Sequence, residues 1–152
     1  MPDPERPHLT PFPLATWERD GLKAALRKAG LPADDIEEPN RLFWRFERED
    51  LVPVGFGGLE LHGRDALLRS IVTLPPVRGK GLGAAIVTLL EVEARARSAT
   101  ALWLLTTTAA EFFTELGYTA CERAKVPASI RASQEFIKLC PASAVAMTKR
   151  LD

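Results

Sequence analysis

The sequence predicts a mixed α/β fold, with antiparallel strands through its first half and helices interleaved with the remaining strands of one sheet. Three observations carry this. Alternating or β-branched runs at 42–46, 52–61 and 66–74 are joined only by the short polar turns 47–50 and 62–65. The third run closes at Pro75-Pro76 and meets a glycine-rich turn, Arg78-Gly79-Lys80-Gly81-Leu82-Gly83, which opens a long helical pattern. Beyond it, strand-like and helix-like stretches alternate at 101–105, 109–116 and 118–121.

Each element has a local cause. Pro2, Pro4, Pro7, Pro11 and Pro13 make the start a poor helix and leave room for an edge strand over 8–12. Thr16 or Asp20 is placed to cap a helix reaching Ala29, with Leu22, Ala25, Leu26 and Ala29 on one face and Gly30 and Pro32 as the stop. Residues 34–38 read as a single acidic turn. Gly55, Gly57 and Gly58 inside the second long strand imply a bulge or a close approach by another element. After the glycine turn, Leu82, Ala85, Ile86, Leu89 and Leu90 share a helix face, and Glu91, Glu93, Arg95 and Arg97 fall on its later, solvated part. Thr106, Thr107 and Thr108 offer capping hydroxyls to the 109–116 helix, which Gly117 ends. Pro127 begins a helix expected to run to Leu139, Pro141 ends it, and 143–148 reads as the last strand. The whole chain, 1–152, is expected to be one domain.

Composition narrows the function classes. Twenty basic residues against twenty acidic leave no global field for nucleic acid or anionic lipid. No apolar run approaches the roughly 20 residues of a membrane span. The start lacks the basic-then-apolar order of a signal peptide. Two cysteines, Cys121 and Cys140, are too few for a disulfide framework, and a cytoplasmic setting is expected. Any anion preference must therefore be local. A strand that turns through glycines into a helix supplies it: the first-turn amides lack intrahelical partners, and the helix dipole and two flanking cations point the same way. A Walker loop is excluded, because no Gly, four residues, Gly-Lys-Ser/Thr run exists. A dinucleotide turn would need a glycine where Ile86 stands and an acid at the end of the next strand, where the chain reads Leu104-Leu105-Thr106.

The order of parts, with Arg78-x-x-Gly81-x-Gly83 opening a helix and Ala109-x-x-Phe112-Phe113-x-x-x-Gly117-Tyr118 after the next strand, resembles the GCN5-related N-acetyltransferase family over residues 16–122. The resemblance implies that family's acyl-CoA N-acyltransferase fold, with a central splayed strand pair and flanking helices. It implies acetyl-CoA as co-substrate, its pyrophosphate on Arg78, Gly79, Lys80, Gly81, Leu82, Gly83 and Ala84, and its pantetheine arm and thioester along Ile71, Val72 and Thr73. Leu59-Glu60-Leu61-His62-Gly63, Leu104-Leu105-Thr106-Thr107-Thr108-Ala109 and Leu139-Cys140-Pro141-Ala142-Ser143-Ala144 are similar to phrases of the small acetyltransferases associated with arsenic resistance. That similarity implies a small primary amine as acceptor, such as an arsenic- or phosphorus-containing amino acid.

Transfer to an amine needs a group that takes its proton. Glu60, between Leu59 and Leu61, is the candidate base, against the plain reading of a solvent-facing strand residue. His62 titrates near neutrality but abuts a turn glycine, so a loop histidine is the plainer reading. Phe113 stands where many family members carry a tyrosine acid, leaving the thiolate to depart unassisted or Tyr118 to substitute; a thiol pKa of about 8.5 tolerates the former. Arg45 and Arg69, with Arg131, are candidates for an anionic acceptor, against ordinary surface arginines. No metal site is expected, and a homodimer is compatible with the chain. The competing functions are a protein or peptide N-acetyltransferase and a non-catalytic acetyl-CoA sensor.

Overall fold

The computed structural model describes residues 8–74, 81–138 and 144–151. Seven strands form one sheet in the order β1-β2-β3-β4-β5-β7-β6. They are β1 (Leu9–Pro13), β2 (Arg41–Arg48), β3 (Pro53–His62), β4 (Asp65–Thr73), β5 (Ala101–Thr106), β6 (Thr119–Cys121) and β7 (Val145–Arg150). Every pairing is antiparallel except β4 with β5. That parallel pair needs a crossover, and α2 (Leu82–Ala96) provides it. The remaining helices are α1 (Arg19–Lys28), α3 (Ala110–Glu115), α4 (Ala128–Arg131) and α5 (Gln134–Lys138).

Alternation along the strands sorts the helices onto two faces. Trp44, Phe46, Leu59, Ala66 and Leu68 pack with Ile86, Val87 and Leu90 of α2 and Phe113 of α3. On the opposite face Phe43 and Val72 meet Leu22 and Leu26 of α1, and Leu67 and Ala146 meet Ile130 of α4 and Phe136 of α5. The proline-bearing edge strand, the two long central strands and the crossover helix lie where the sequence puts them. Gly55 shows why a glycine run sits in β3: a Cβ there would stand 2.3 Å from the Val72 carbonyl oxygen. Both readings of that run hold, since the β3–β4 register also shifts between Phe56 and Gly58.

Several expectations are corrected. The helix from Pro127 is two short pieces, interrupted at Ala132-Ser133, where the Ser133 hydroxyl accepts from the Phe136 amide and restarts the chain. The last strand begins at Val145 and runs to Arg150, carried that far by pairing with all six residues of β5. Glu91 is buried rather than solvated, for a reason given below. Thr16 and Asp20 make no capping bond; α1 starts instead from a single 3-10 turn, Thr16–Glu18. No side chain caps α3 either: its N-cap is Ala109, whose amide donates to the Thr106 hydroxyl at 2.9 Å in the turn before the helix.

Candidate active site

The β4–β5 ladder lasts only three pairs, Asp65↔Ala101, Ala66↔Leu102 and Leu67↔Trp103. Beyond them β4 continues against β3, and β5 continues against β7. The two strands splay, and the gap is a cleft of about 400 Å³ walled by residues 68–73 and 104–109. Residues 29–31, at the end of α1, close one part of it; Phe113 and Ala144 also border it.

A bulge helps open it. Between the pairs Gly58↔Arg69 and Phe56↔Val72, Ser70 and Ile71 stand opposite Gly57 alone. Ser70 takes φ 58°, a left-handed backbone that a serine adopts at a cost. The extra residue resets the alternation: Leu68 and Ile71 face the α2 side, Arg69 and Val72 the α1 side. The expected thioester strand, Ile71, Val72 and Thr73, therefore lines the cleft just past a bend.

At the start of α2, Gly81 has φ 72° and serves as the N-cap. The first intrahelical bond is donated by Ala85 to the Gly81 carbonyl, so the amides of Leu82, Gly83 and Ala84 point out of the helix end. No acid occupies this first turn. A Cβ on Gly83 would lie 3.3 Å from the Phe112 ring, so the turn abuts α3, whose Phe113 borders the cleft. Arg78, Gly79 and Lys80 fall outside the described residues, as does Cys140.

Of the expected acid–base and acceptor residues, Arg69 borders the cleft, whereas Glu60 and Arg45 do not. Glu60 is fully buried on the α1 side and does not border the cleft. Its Oε1 accepts from Arg69 Nη1 at 3.0 Å and lies 3.3 Å from Arg41 Nη2, while Oε2 is 2.6 Å from His62 Nε2. His62 is thus a strand-end partner of Glu60 rather than a loop residue. Arg69 meets Asp35 with both terminal nitrogens, each at 2.6 Å, and its Nε donates to the Ser70 hydroxyl at 3.1 Å. Arg41 also donates to Asp35 at 3.1 Å. Burial alone would raise the Asp35 pKa; the Arg69 and Arg41 guanidiniums outweigh it and hold the carboxyl below its usual 3.8. Arg45 lies on β2, stacked over Phe12 and paired with Glu18 and Glu47, and it does not border the cleft. Arg131 is exposed at the end of α4.

Tyr118 does not replace the missing acid. Its hydroxyl donates to Glu91 Oε2 at 2.8 Å in the core behind α3, and Lys149 donates to the same oxygen at 3.0 Å. Burial first, then the Glu91 charge, push the phenol far above its normal range. Phe113 packs edge-on against Phe112 and Tyr118, with centroids 4.9 and 5.5 Å away. Burial raises the Cys121 thiol, and no group of three metal-ligating side chains occurs among the described residues.

A sheet opened between two parallel strands, beside a glycine-capped helix start, defines the acyl-CoA N-acyltransferase class of fold. The chain belongs to the acetyltransferase (GNAT) family, whose pattern matches residues 6–118. Among solved structures it is similar to N-acetylglutamate synthase from Neisseria gonorrhoeae, complexed with coenzyme A and N-acetyl-glutamate (TM-score 0.78, 15% identity, 95% of this chain and 35% of that one). It is also similar to Rv2747 from Mycobacterium tuberculosis, in complex with CoA and NLQ (TM-score 0.73, 23% identity, 95% and 99%). A third is the ribosomal-protein-S18-alanine N-acetyltransferase from Escherichia coli (TM-score 0.67, 16% identity, 95% and 95%). The chain thus spans about a third of the synthase's length. No curated protein matches the sequence at a significant level.

Proposed function

We propose that the chain acetylates the primary amine of a small molecule by direct attack on acetyl-CoA held in the β4–β5 cleft. The observation that carries this is the ladder that stops after Leu67↔Trp103 and leaves two backbone edges facing a gap. An extended, amide-bearing pantetheine arm suits such edges, as an added strand suits a sheet edge. The pyrophosphate would rest on the amides of Leu82, Gly83 and Ala84 and, as the family resemblance implies, on Arg78, Gly79 and Lys80. A neutral amine attacks the thioester carbon, the C–N bond forms, and an amide of the 71–73 stretch receives the developing oxyanion. The C–S bond then breaks and the CoA thiolate departs. No carboxylate, histidine or lysine borders the cleft among the described residues, so the amine's proton leaves through water.

Glu60 in this reading holds Arg69 and Arg41. Glu60→Gln should leave the shape of the pH–rate profile unchanged; a rate loss confined to low pH would restore Glu60 as the base. For the acceptor we propose a free amino acid, with the arsenic- and phosphorus-containing ones implied by the subgroup resemblance first in line. Structures similar to this chain carry names that specify N-acetyl-glutamate or a protein's alanine, which sets the comparison. CoA release should be measured with arsinothricin, phosphinothricin, glutamate and an alanine-started peptide. Turnover of a free amino acid is expected. Acetyl-CoA binding without transfer to any of the four overturns the enzymatic reading, and a peptide preference overturns the small-molecule one.

A further inference from the structure

The Asp35–Arg69 pair does more than neutralise charge. Arg69 already has a counter-ion in Glu60, and the other members of the cluster, Arg41, Glu60, His62 and Arg69, all stand on strands β2, β3 and β4. Asp35 alone comes from the α1–β2 connection. That connection begins with Gly30 at φ 74° and a Leu31 amide donating back to Leu26 at 2.8 Å. It then buries Ala33 and Ile36 beside Phe43 and Val72. Its first residues, 29–31, border the cleft from the α1 face. The glycine-capped start of α2 abuts α3 on the other face; with the donor's phosphates on that side, as the acetyl-transfer reading has them, the α1 face is left to the amine. At the far end of the same guanidinium, Arg69 Nε holds the hydroxyl of Ser70, the bulge residue.

We infer that Asp35 is a positioning residue for the acceptor amine, because its two-pronged pair with Arg69 fixes the 29–31 wall against the bulge that aims the thioester strand. This rests on the acetyl-transfer reading above. A wall displaced by a fraction of an ångström costs acceptor binding while leaving the donor's edge contacts intact, and misplacement of about 1 Å is enough for a hundredfold loss.

Asp35→Asn keeps the shape and removes the charge; Asp35→Glu keeps the charge and shifts it by one methylene. Steady-state kinetics should use the best amine of the panel above, with acetyl-CoA affinity measured separately by calorimetry. Asp35→Asn should raise the acceptor KM about tenfold or more, with acetyl-CoA Kd within about twofold of wild type. Asp35→Glu should fall between, and it keeps the test available should Asp35→Asn not fold. An unchanged acceptor KM in a folded variant overturns the inference, as does a parallel loss of acetyl-CoA affinity, which is what a merely structural role produces. A wild type that turns over normally with an indifferent variant sinks only this inference. A wild type that acetylates nothing sinks the acetyl-transfer reading and this one together.

Discussion

At the scale of single residues, most of the surprises are buried polar groups. Tyr118 is the sharpest, since sequence spacing offers it as an acid and the fold locks it to Glu91 and Lys149. Tyr118→Phe should leave kcat and acetyl-CoA affinity unchanged while lowering stability by about 1–3 kcal/mol, because Glu91 loses a buried donor. Denaturant unfolding beside a kinetic assay checks both halves, and a fall in kcat at unchanged fold would return the phenol to the mechanism. Asp35 gives a pH dependence of definite sign. Its folded pKa lies below 3.8, so its contribution is fully present above that value and is lost as pH falls through the lower one. The wild type should therefore lose stability on acidification below about pH 4 more steeply than Asp35→Asn. Parallel slopes in thermal melts would remove the ion pair from the account.

Elements were legible in the chain to different degrees, and the differences have physical reasons. The strands β2, β3 and β4 and the helices α1 and α2 follow from period and punctuation, which are local properties. Glu91 carried an unused signal: Val87, Glu91 and Ala94 are spaced i, i+4, i+7 and all three are buried, so the helix face itself marks the acid as inward. Asp35 left a fainter trace, an apolar Ile36 within an acidic turn, and its partner is 34 positions away, beyond any periodicity. The break at Ser133 depends on one hydroxyl choosing a backbone amide, which residue type alone does not decide. The candidate site divides the same way. Its backbone parts, 71–73 and the start of α2, are where the glycines and prolines put them, whereas the ion pairs that occupy Glu60, Arg45 and Arg69 are not fixed by residue type alone. At the α2 start, Gly81→Asp places a side chain at φ 72°, a strain Asp bears better than most residues, and sets a carboxylate against the pyrophosphate. Acetyl-CoA affinity is expected to fall by about a hundredfold or more in a folded protein, a loss of about 3 kcal/mol. Near-normal affinity by calorimetry would move the phosphates elsewhere.

For the whole molecule, the three-pair ladder between β4 and β5 has a mechanical consequence. Strands β1 to β4 form one half-sheet and β5, β7 and β6 the other, and between Leu67↔Trp103 and the cleft mouth no hydrogen-bonded rung joins them. On the acetyl-transfer reading the donor, laid along both edges, would supply the missing rung. Acetyl-CoA at a hundred times its Kd should then stabilise the fold by about 2.7 kcal/mol through mass action alone. Its signature should be local as well, with amide exchange slowed along 68–73 and 104–106 together, on both sides of the seam. Slowing on one side only would mean the donor rests on a single half. On the acetyl-transfer reading the co-substrate completes the sheet that holds it, and the two half-sheets are bridged at that level only while its arm is bound.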